Sequence, residues 1–223
     1  FLSYESGDYN FNNLTTPEIV TEFFKKEFPD ALDLMPNLVD EFFENPTAPL
    51  GTVKCFPWHY KGNSLLLGDA AHAIVPFYGQ GMNCSFEDVV ELDAFLDTHD
   101  GNWEATFKAF ETHRKVDTDA IADLAIDNFH EMKDHIASPL FQEKRKIEMA
   151  LEAEFPETYY SKYSMVTFKE TIGYNQAMTV GRAQDKAILS MLSNNKIDPK
   201  ESRSKQLKKI QEETNSILAE DAI

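Results

Sequence analysis

Apolar and polar positions alternate mostly with a helical period. Ile19, Val20, Phe23, Phe24 and Phe28 recur at spacings of three and four, which predicts an amphipathic helix. Thr15-Thr16-Pro17-Glu18 precedes it: Thr15 and Glu18 suit a capping box, Pro17 suits the first turn, and Pro29-Asp30 predicts the end. Leu38, Val39, Phe42 and Phe43 predict a second, shorter helix before Asn45-Pro46. From Leu50 to Cys55 the pattern alternates as in a strand. Leu65, Leu66 and Leu67 read as a buried strand stopped by Gly68 and Asp69. A loop of small residues, Ala70 to Ala73, leads to Pro76 and a tight Gly79-Gln80-Gly81 turn. Met82 then begins a helix-period run with Phe86, Val89, Val90 and Asp93, which Asp100-Gly101-Asn102 ends. Trp103 opens a helix that continues through Phe107, Phe110 and Arg114. A following helix carries Ile121, Leu124, Ala125, Met132 and Ile136 on one face, with Asn128 on that same face. Ser138-Pro139 breaks it, and a charged amphipathic helix runs from Phe141 to Phe155. Gly173 to Leu192 reads as another helix, with Ala177, Val180, Ile188 and Leu189. The tail from Asn194 is polar, and Leu207, Ile210, Thr214 and Ile217 form a narrow seam that predicts a short docking helix or a frayed end.

Composition narrows the function. The 223 residues carry a net charge of −17 and 42% hydrophobic residues, which fits a folded protein and argues against nucleic-acid binding. Cys55 and Cys84 have no CxxC partner, so a metal site is not predicted and both cysteines read as reduced. The sequence has no run of 18 apolar residues, no GxGxxG and no P-loop. It begins at Phe1 instead of Met, which suggests part of a longer protein.

The chemistry concentrates between Ser64 and Leu96. Two glycines flanking Gln80 allow the backbone to approach a ligand closely. The helix that follows offers free N–H groups and the positive end of its dipole, which favour an anion or a polarised carbonyl oxygen. Asp69 would repel phosphate and suits the hydroxyls of a sugar or polyol. A lone Gly-Asp favours an ordinary strand–loop–helix corner in which Asp69 caps. The order GDAAH, Pro76 and GQGMN points instead to a binding loop.

With those motifs in place, the chain resembles the FAD-dependent aromatic hydroxylases, the group A flavoprotein monooxygenases, and among them a fungal-like kynurenine hydroxylase. The resemblance covers most of the chain, strongly over residues 64–90, moderately near 121–132, which includes DLAIDNFHEM, and 159–168, YYSKYSMVTF, and weakly elsewhere. It implies an α/β (α+β) fold: the C-terminal part of a GR2-type FAD-binding fold with part of the substrate domain, followed by a mainly helical C-terminal domain. The implied segments are 1–60 for the end of the substrate domain and return strand, 61–98 for the second FAD motif, 99–193 for the helical domain and 194–223 for the tail. By the same resemblance Asp69 bonds a ribityl hydroxyl of tightly but non-covalently bound FAD. Pro76, Gly79, Gln80, Gly81, Met82 and Asn83 pass along the isoalloxazine ring. Pro76, Phe77 and Tyr78 supply an apolar aromatic patch to the substrate ring, Gln80 either hydrogen-bonds the substrate or braces the turn, and Asn128 and Tyr163 hold the substrate's amino-acid end. Phe1 is a further candidate for the substrate pocket.

The resemblance also implies NADPH and O2 as co-substrates, a flavin C4a-hydroperoxide as the hydroxylating species, and 3-hydroxy-L-kynurenine as the product. The dinucleotide fingerprint and the substrate-carboxylate arginine would lie in an N-terminal half outside this sequence. The mitochondrial outer membrane facing the cytosol is the implied location. Side-chain acid, base or nucleophile chemistry is not required. His72 reads as a structural residue holding the loop backbone, His59 as a surface or capping residue, and Glu87 and Asp88 as acids that complement the helix dipole. Two alternatives remain open at this stage: a hydroxylase or epoxidase with another substrate, and a helical interaction module with a degenerate flavin motif.

Overall fold

The computed structural model describes residues 7–135, 138–198 and 200–221. Phe1 and Ile136 lie outside the described residues. The chain divides into two compact units, Phe1–Pro49 and Leu50–Ile223.

The first unit packs three short helices, α1 (Pro17–Glu27), α2 (Pro29–Leu32) and α3 (Leu38–Glu44). Its core is Leu14, Val20, Phe23 and Leu38, with Tyr9, Phe24, Leu32 and Phe42 against it. The cap of α1 differs from the predicted capping box. Thr16, one residue later than Thr15, accepts from the Ile19 N–H at 3.4 Å, because Pro17 at the first helical position fixes the start there. Pro29 opens α2 as well as following α1, since a first-turn proline gives up no helical hydrogen bond.

In the second unit, β1 (His59–Tyr60) and β2 (Ser64–Leu65) form an antiparallel hairpin with His59 opposite Leu65. Two of the predicted strands are corrected. Only Leu65 of the Leu65–Leu67 run is in the ladder, although the Leu66 N–H still donates to the Trp58 carbonyl at 2.8 Å. Leu50–Cys55 forms no ladder among the described residues. Its bonds run from the Val53 and Cys55 N–H groups to the carbonyls of Ala73 and Ala71, at 2.7 and 2.9 Å. The segment opposite it is wound into α4 (Asp69–His72), where a loop was predicted, so these bonds do not extend into a ladder among the described residues.

The remainder is helical: α5 (Gly81–Thr98), α6 (Trp103–His130) with a π-turn at Glu131–His135, α7 (Pro139–Glu154), α8 (Lys162–Phe168), α9 (Tyr174–Ser193) and α10 (Arg203–Asp221). The two helices predicted between Trp103 and Ile136 are one continuous α6, since residues 115–120 contain no glycine or proline to break it. Ile121, Leu124 and Ala125 of α6 pack with Met165 and Val166 of α8, Ala177 of α9, and Val75 and Tyr78 of the loop before α5. Leu207 and Ile210 of α10 join Ile147, Leu151 and Ile188 in a second cluster.

Helix α5 turns the other way from its apolar pattern. Met82, Phe86, Val89 and Val90 are exposed, and its buried residues are Cys84 and Asp88. On the buried side, Asp88 is held by three contacts, to the Gly68 N–H, His72 Nε2 and Arg114 Nε.

Candidate active site

The Gly68–Asn83 segment is shaped by two backbone positions. Gly68 has φ +55° and caps α4, with Ser85 so close that a Cβ would sit 3.0 Å from its hydroxyl oxygen. Gly79 has φ +71° and open space around it, so the turn leaves room beside the start of α5. Asp69 is exposed at the first residue of α4. Pro76, Gly79, Met82 and Asn83 are exposed, while Gln80 is buried directly before α5 and Gly81 is its first residue. Gln80 braces the turn: its Oε1 accepts from Asn83 Nδ2 at 2.8 Å and its carbonyl accepts from the Cys84 N–H at 2.9 Å. Gln80 and Asn83 border an open groove of about 690 Å³ that also reaches Glu87, Arg114 and Tyr174.

Beneath this loop lies a buried charge cluster centred on Arg114 of α6. Its Nε donates to Asp88 Oδ1 at 2.8 Å, and its Nη2 donates to Glu87 at 2.7 Å and to the Cys84 carbonyl at 3.0 Å. The other oxygen of Asp88 accepts from the Gly68 N–H at 2.9 Å and faces His72 Nε2 at 2.6 Å. Asp88 and Glu87 are therefore not simple dipole-complementing acids. Asp88 is fully buried and ties α4, α5 and α6 together, and Glu87 accepts from the Tyr174 hydroxyl at 2.8 Å. His72 is structural, with a carboxylate partner instead of the backbone carbonyls that were predicted.

Burial pushes the Asp88 carboxyl up, but the hydrogen bonds from His72, Arg114 and Gly68 outweigh it and hold the group below its usual range. Burial pushes the Cys84 thiol up to about 12, which leaves it inert. His72, Cys84 and Asp88 present donor atoms within 4.8 Å of one another. The Arg114 guanidinium contacts both Asp88 Oδ1 and Cys84 Sγ, the latter at 3.4 Å, and its charge disfavours a metal ion there. His59 also has a partner, with Nδ1 3.1 Å from Glu111 Oε2, and Glu111 in turn accepts from the Trp58 and His59 N–H groups.

The loop also borders a second, more enclosed space. Tyr78, Asn128 and Tyr163 line a cavity of about 260 Å³ together with Glu131, Lys144 and Lys162. Asn128 Nδ2 donates to the Phe77 carbonyl at 2.6 Å, so this residue also fixes the loop. Phe77 packs on Phe129 with ring centroids 4.7 Å apart. Tyr163 is half exposed and stacks on buried Tyr78 at 5.9 Å and 21°. Asn128 and Tyr163, 35 positions apart in sequence, thus meet at one cavity. A wider, shallower depression of about 930 Å³ beside Phe95 and Gln176 contains none of the predicted residues, and its shape is that of open surface.

Sequence reasoning missed Arg114 as a hub, along with Lys144, Lys162 and Asp185. A signal for Arg114 was present: it falls four residues after Phe110 on the buried face of α6, where an unpaired charge would be costly. Lys144 and Glu148 stand at i,i+4 in α7, a weaker signal.

Residues 15–102 match the family of FAD binding domains, and with the mostly helical body this is consistent with part of a flavin-hydroxylase fold. The chain is 44% identical over 201 residues to a kynurenine 3-monooxygenase of Dictyostelium discoideum, covering 85% of this chain and 44% of that protein. It is 47% identical over 184 residues to one from Legionella pneumophila, covering 82% of this chain and 40% of that protein. For one from Myxococcus xanthus the identity is 48% over 193 residues, covering 86% and 41%. The chain is therefore a homologue of proteins named kynurenine 3-monooxygenase, and it spans less than half the length of these curated relatives.

Proposed function

We propose that the chain is part of an FAD- and NADPH-dependent monooxygenase that converts L-kynurenine to 3-hydroxy-L-kynurenine. The observation that carries this reading is the position of the Pro76–Gly81 loop. One end of the loop opens on the groove bordered by Gln80 and Asn83, and its middle supplies Tyr78 to the cavity of Asn128 and Tyr163. A flavin edge and a substrate ring can meet only where a cofactor surface and a ligand cavity adjoin.

The residues fit FAD. Asp69 is exposed and can accept from ribityl hydroxyls, and the left-handed Gly79 leaves open space beside the loop. The exposed first turn of α5 offers N–H groups and a positive dipole end to a flavin edge that becomes anionic on reduction. Met82 and Asn83 stand exposed on that turn. When bound, FAD supplies the redox chemistry, taking electrons from NADPH and reacting with O2.

This chain's residues position and shelter that chemistry. Phe77, with Pro76, forms an apolar wall that limits water at the reacting ring. Asn128 and the Tyr163 hydroxyl hold the zwitterionic end of the substrate, and Asn128 couples that end to the loop through the Phe77 carbonyl. The GR2-type arrangement belongs to the same reading, with residues 61–98 as the second FAD motif and 99–193 completing the pocket. So does a mitochondrial outer-membrane location. Among the described residues no helix is long and apolar enough to cross a membrane.

The test is product analysis of the flavin-loaded enzyme supplied with kynurenine, NADPH and O2. The reading predicts 3-hydroxykynurenine in proportion to NADPH consumed. Stoichiometric NADPH consumption with another aromatic substrate, and none with kynurenine, would overturn it.

A further inference from the structure

The cavity of Asn128 and Tyr163 is backed by charges that the proposed reaction does not use. Lys162 Nζ lies 2.5 Å from Glu131 Oε1 and 2.6 Å from Asp185 Oδ2. Lys144 Nζ lies 2.7 Å from the other oxygen of Asp185 and 3.0 Å from Glu148 Oε1, and Arg145 reaches Glu148 at 3.4 Å. The signs alternate along the series Glu131, Lys162, Asp185, Lys144, Glu148 and Arg145. It draws on the π-turn after α6 and on α7, α8 and α9, and its formal charges cancel.

Five of the six line the cavity, and Asp185 alone stands behind it. The placement of Lys162 is built into the backbone. Gly181, in the middle of α9, lies so close that a Cβ there would sit 2.6 Å from Lys162 Cγ. A glycine inside a helix costs about 1 kcal/mol relative to alanine, so the close approach is maintained at a cost to helix stability. Lys162 is buried, whereas its neighbour Tyr163 is half exposed at the same cavity.

From this geometry we infer that Lys162 is a specificity-determining residue: by neutralising Glu131 it keeps the cavity electrostatically open to the carboxylate of an amino-acid ligand. The inference rests on the reading above, in which the cavity takes the amino-acid end of the substrate. Glu131 borders the cavity and is partly exposed, so without Lys162 it would present an uncompensated negative charge to the ligand. A zwitterion carries a carboxylate into that field, and its decarboxylated amine does not. Loss of the lysine charge therefore penalises the zwitterion selectively. Burial pushes the Lys162 pKa down, but the charges of Asp185 and Glu131 outweigh burial and raise it above the usual lysine value, so the lysine stays charged through the neutral range.

The test titrates the flavin-loaded enzyme with L-kynurenine and separately with its decarboxylated amine, kynuramine. Binding is followed by the change in the flavin spectrum. Lys162→Met keeps the aliphatic stem and should lower the preference for kynurenine over kynuramine about tenfold, while Lys162→Arg should retain most of it. Glu131→Gln keeps every cation in place and should move the preference in the opposite direction. It reads the same balance if Lys162→Met fails to fold. The double variant should return towards the wild-type ratio. An unchanged ratio in Glu131→Gln and in folded Lys162→Met, with wild-type protein still binding kynurenine, would overturn this inference and leave the functional reading intact. Wild-type holoenzyme that binds neither probe would overturn the reading on which it rests, and this inference with it.

Discussion

Two buried charge clusters in the second unit are built on opposite plans. Around Arg114 the acids converge: Asp88, Glu87 and Glu91 all reach one guanidinium, and Asp88 also holds His72 and the Gly68 N–H. Around Lys162 the charges alternate and line a cavity. The convergent cluster directs its contacts to one guanidinium and to two backbone groups, the Gly68 N–H and the Cys84 carbonyl, and so ties both flanks of the α4–α5 loop to α6. The alternating series instead sets five of its six charges along a cavity wall, where a ligand can feel them. On the proposed reading, the contrast separates residues that shape the cofactor loop from residues that select what enters the cavity.

The largest expected effect breaks the convergent cluster. Arg114→Met removes the guanidinium partner of the fully buried Asp88 and a shared partner of Glu87 and Glu91, and should cost about 3–5 kcal/mol in denaturant unfolding. Lys162→Met should cost less, about 1–2 kcal/mol, because Asp185 keeps Lys144 and Glu131 is partly hydrated. Equal losses would erase the distinction between the two plans. Next, Asp69→Ala should weaken FAD retention about tenfold or more, read by equilibrium dialysis of the holoenzyme, through loss of a charge-assisted hydrogen bond. Unchanged FAD affinity would remove Asp69 from the cofactor site. Asn128→Ala and Tyr163→Phe should raise the kynurenine KM about fivefold with flavin content unchanged. Steady-state kinetics that show flavin loss instead would move Asn128 to the scaffold.

The smallest effect is in the pH dependence. The lowered carboxyl pKa of Asp88 means that its contribution to stability is fully present above the usual carboxylate range. That contribution is lost as pH falls through the lowered value. Glu91 acts in the opposite sense, since burial raises its pKa, so the Asp88 part is read as wild type minus Asp88→Asn. The stability difference between the two proteins should shrink on acidification; a constant difference would show that Asp88 does not titrate with folding.

The helices were largely legible because their period survives in the sequence, and the glycine turn was legible because Gly79 needs a left-handed backbone. Which face of α5 turns inward was not. Its hydrophobic pattern selects Met82, Phe86, Val89 and Val90, whereas the buried contacts are made by Cys84 and Asp88. Hydrophobicity says nothing about a carboxylate with three hydrogen-bond partners 16 to 26 residues away. The strands failed for a related reason, because Leu50–Cys55 has a strand's alternation but its neighbour is wound into α4. The meeting of Asn128 and Tyr163 was implied by motif resemblance alone. Their common cavity depends on the packing of α6 against α8 and α9, which no local pattern encodes.

The most direct measurement is the visible absorption of the flavin-loaded enzyme during titration with L-kynurenine. If the Pro76–Gly81 loop joins a flavin surface to a kynurenine cavity, the flavin bands will shift saturably, and Asn128→Ala will move the midpoint to higher kynurenine. Flavin bands that stay unchanged at saturating kynurenine would contradict that junction.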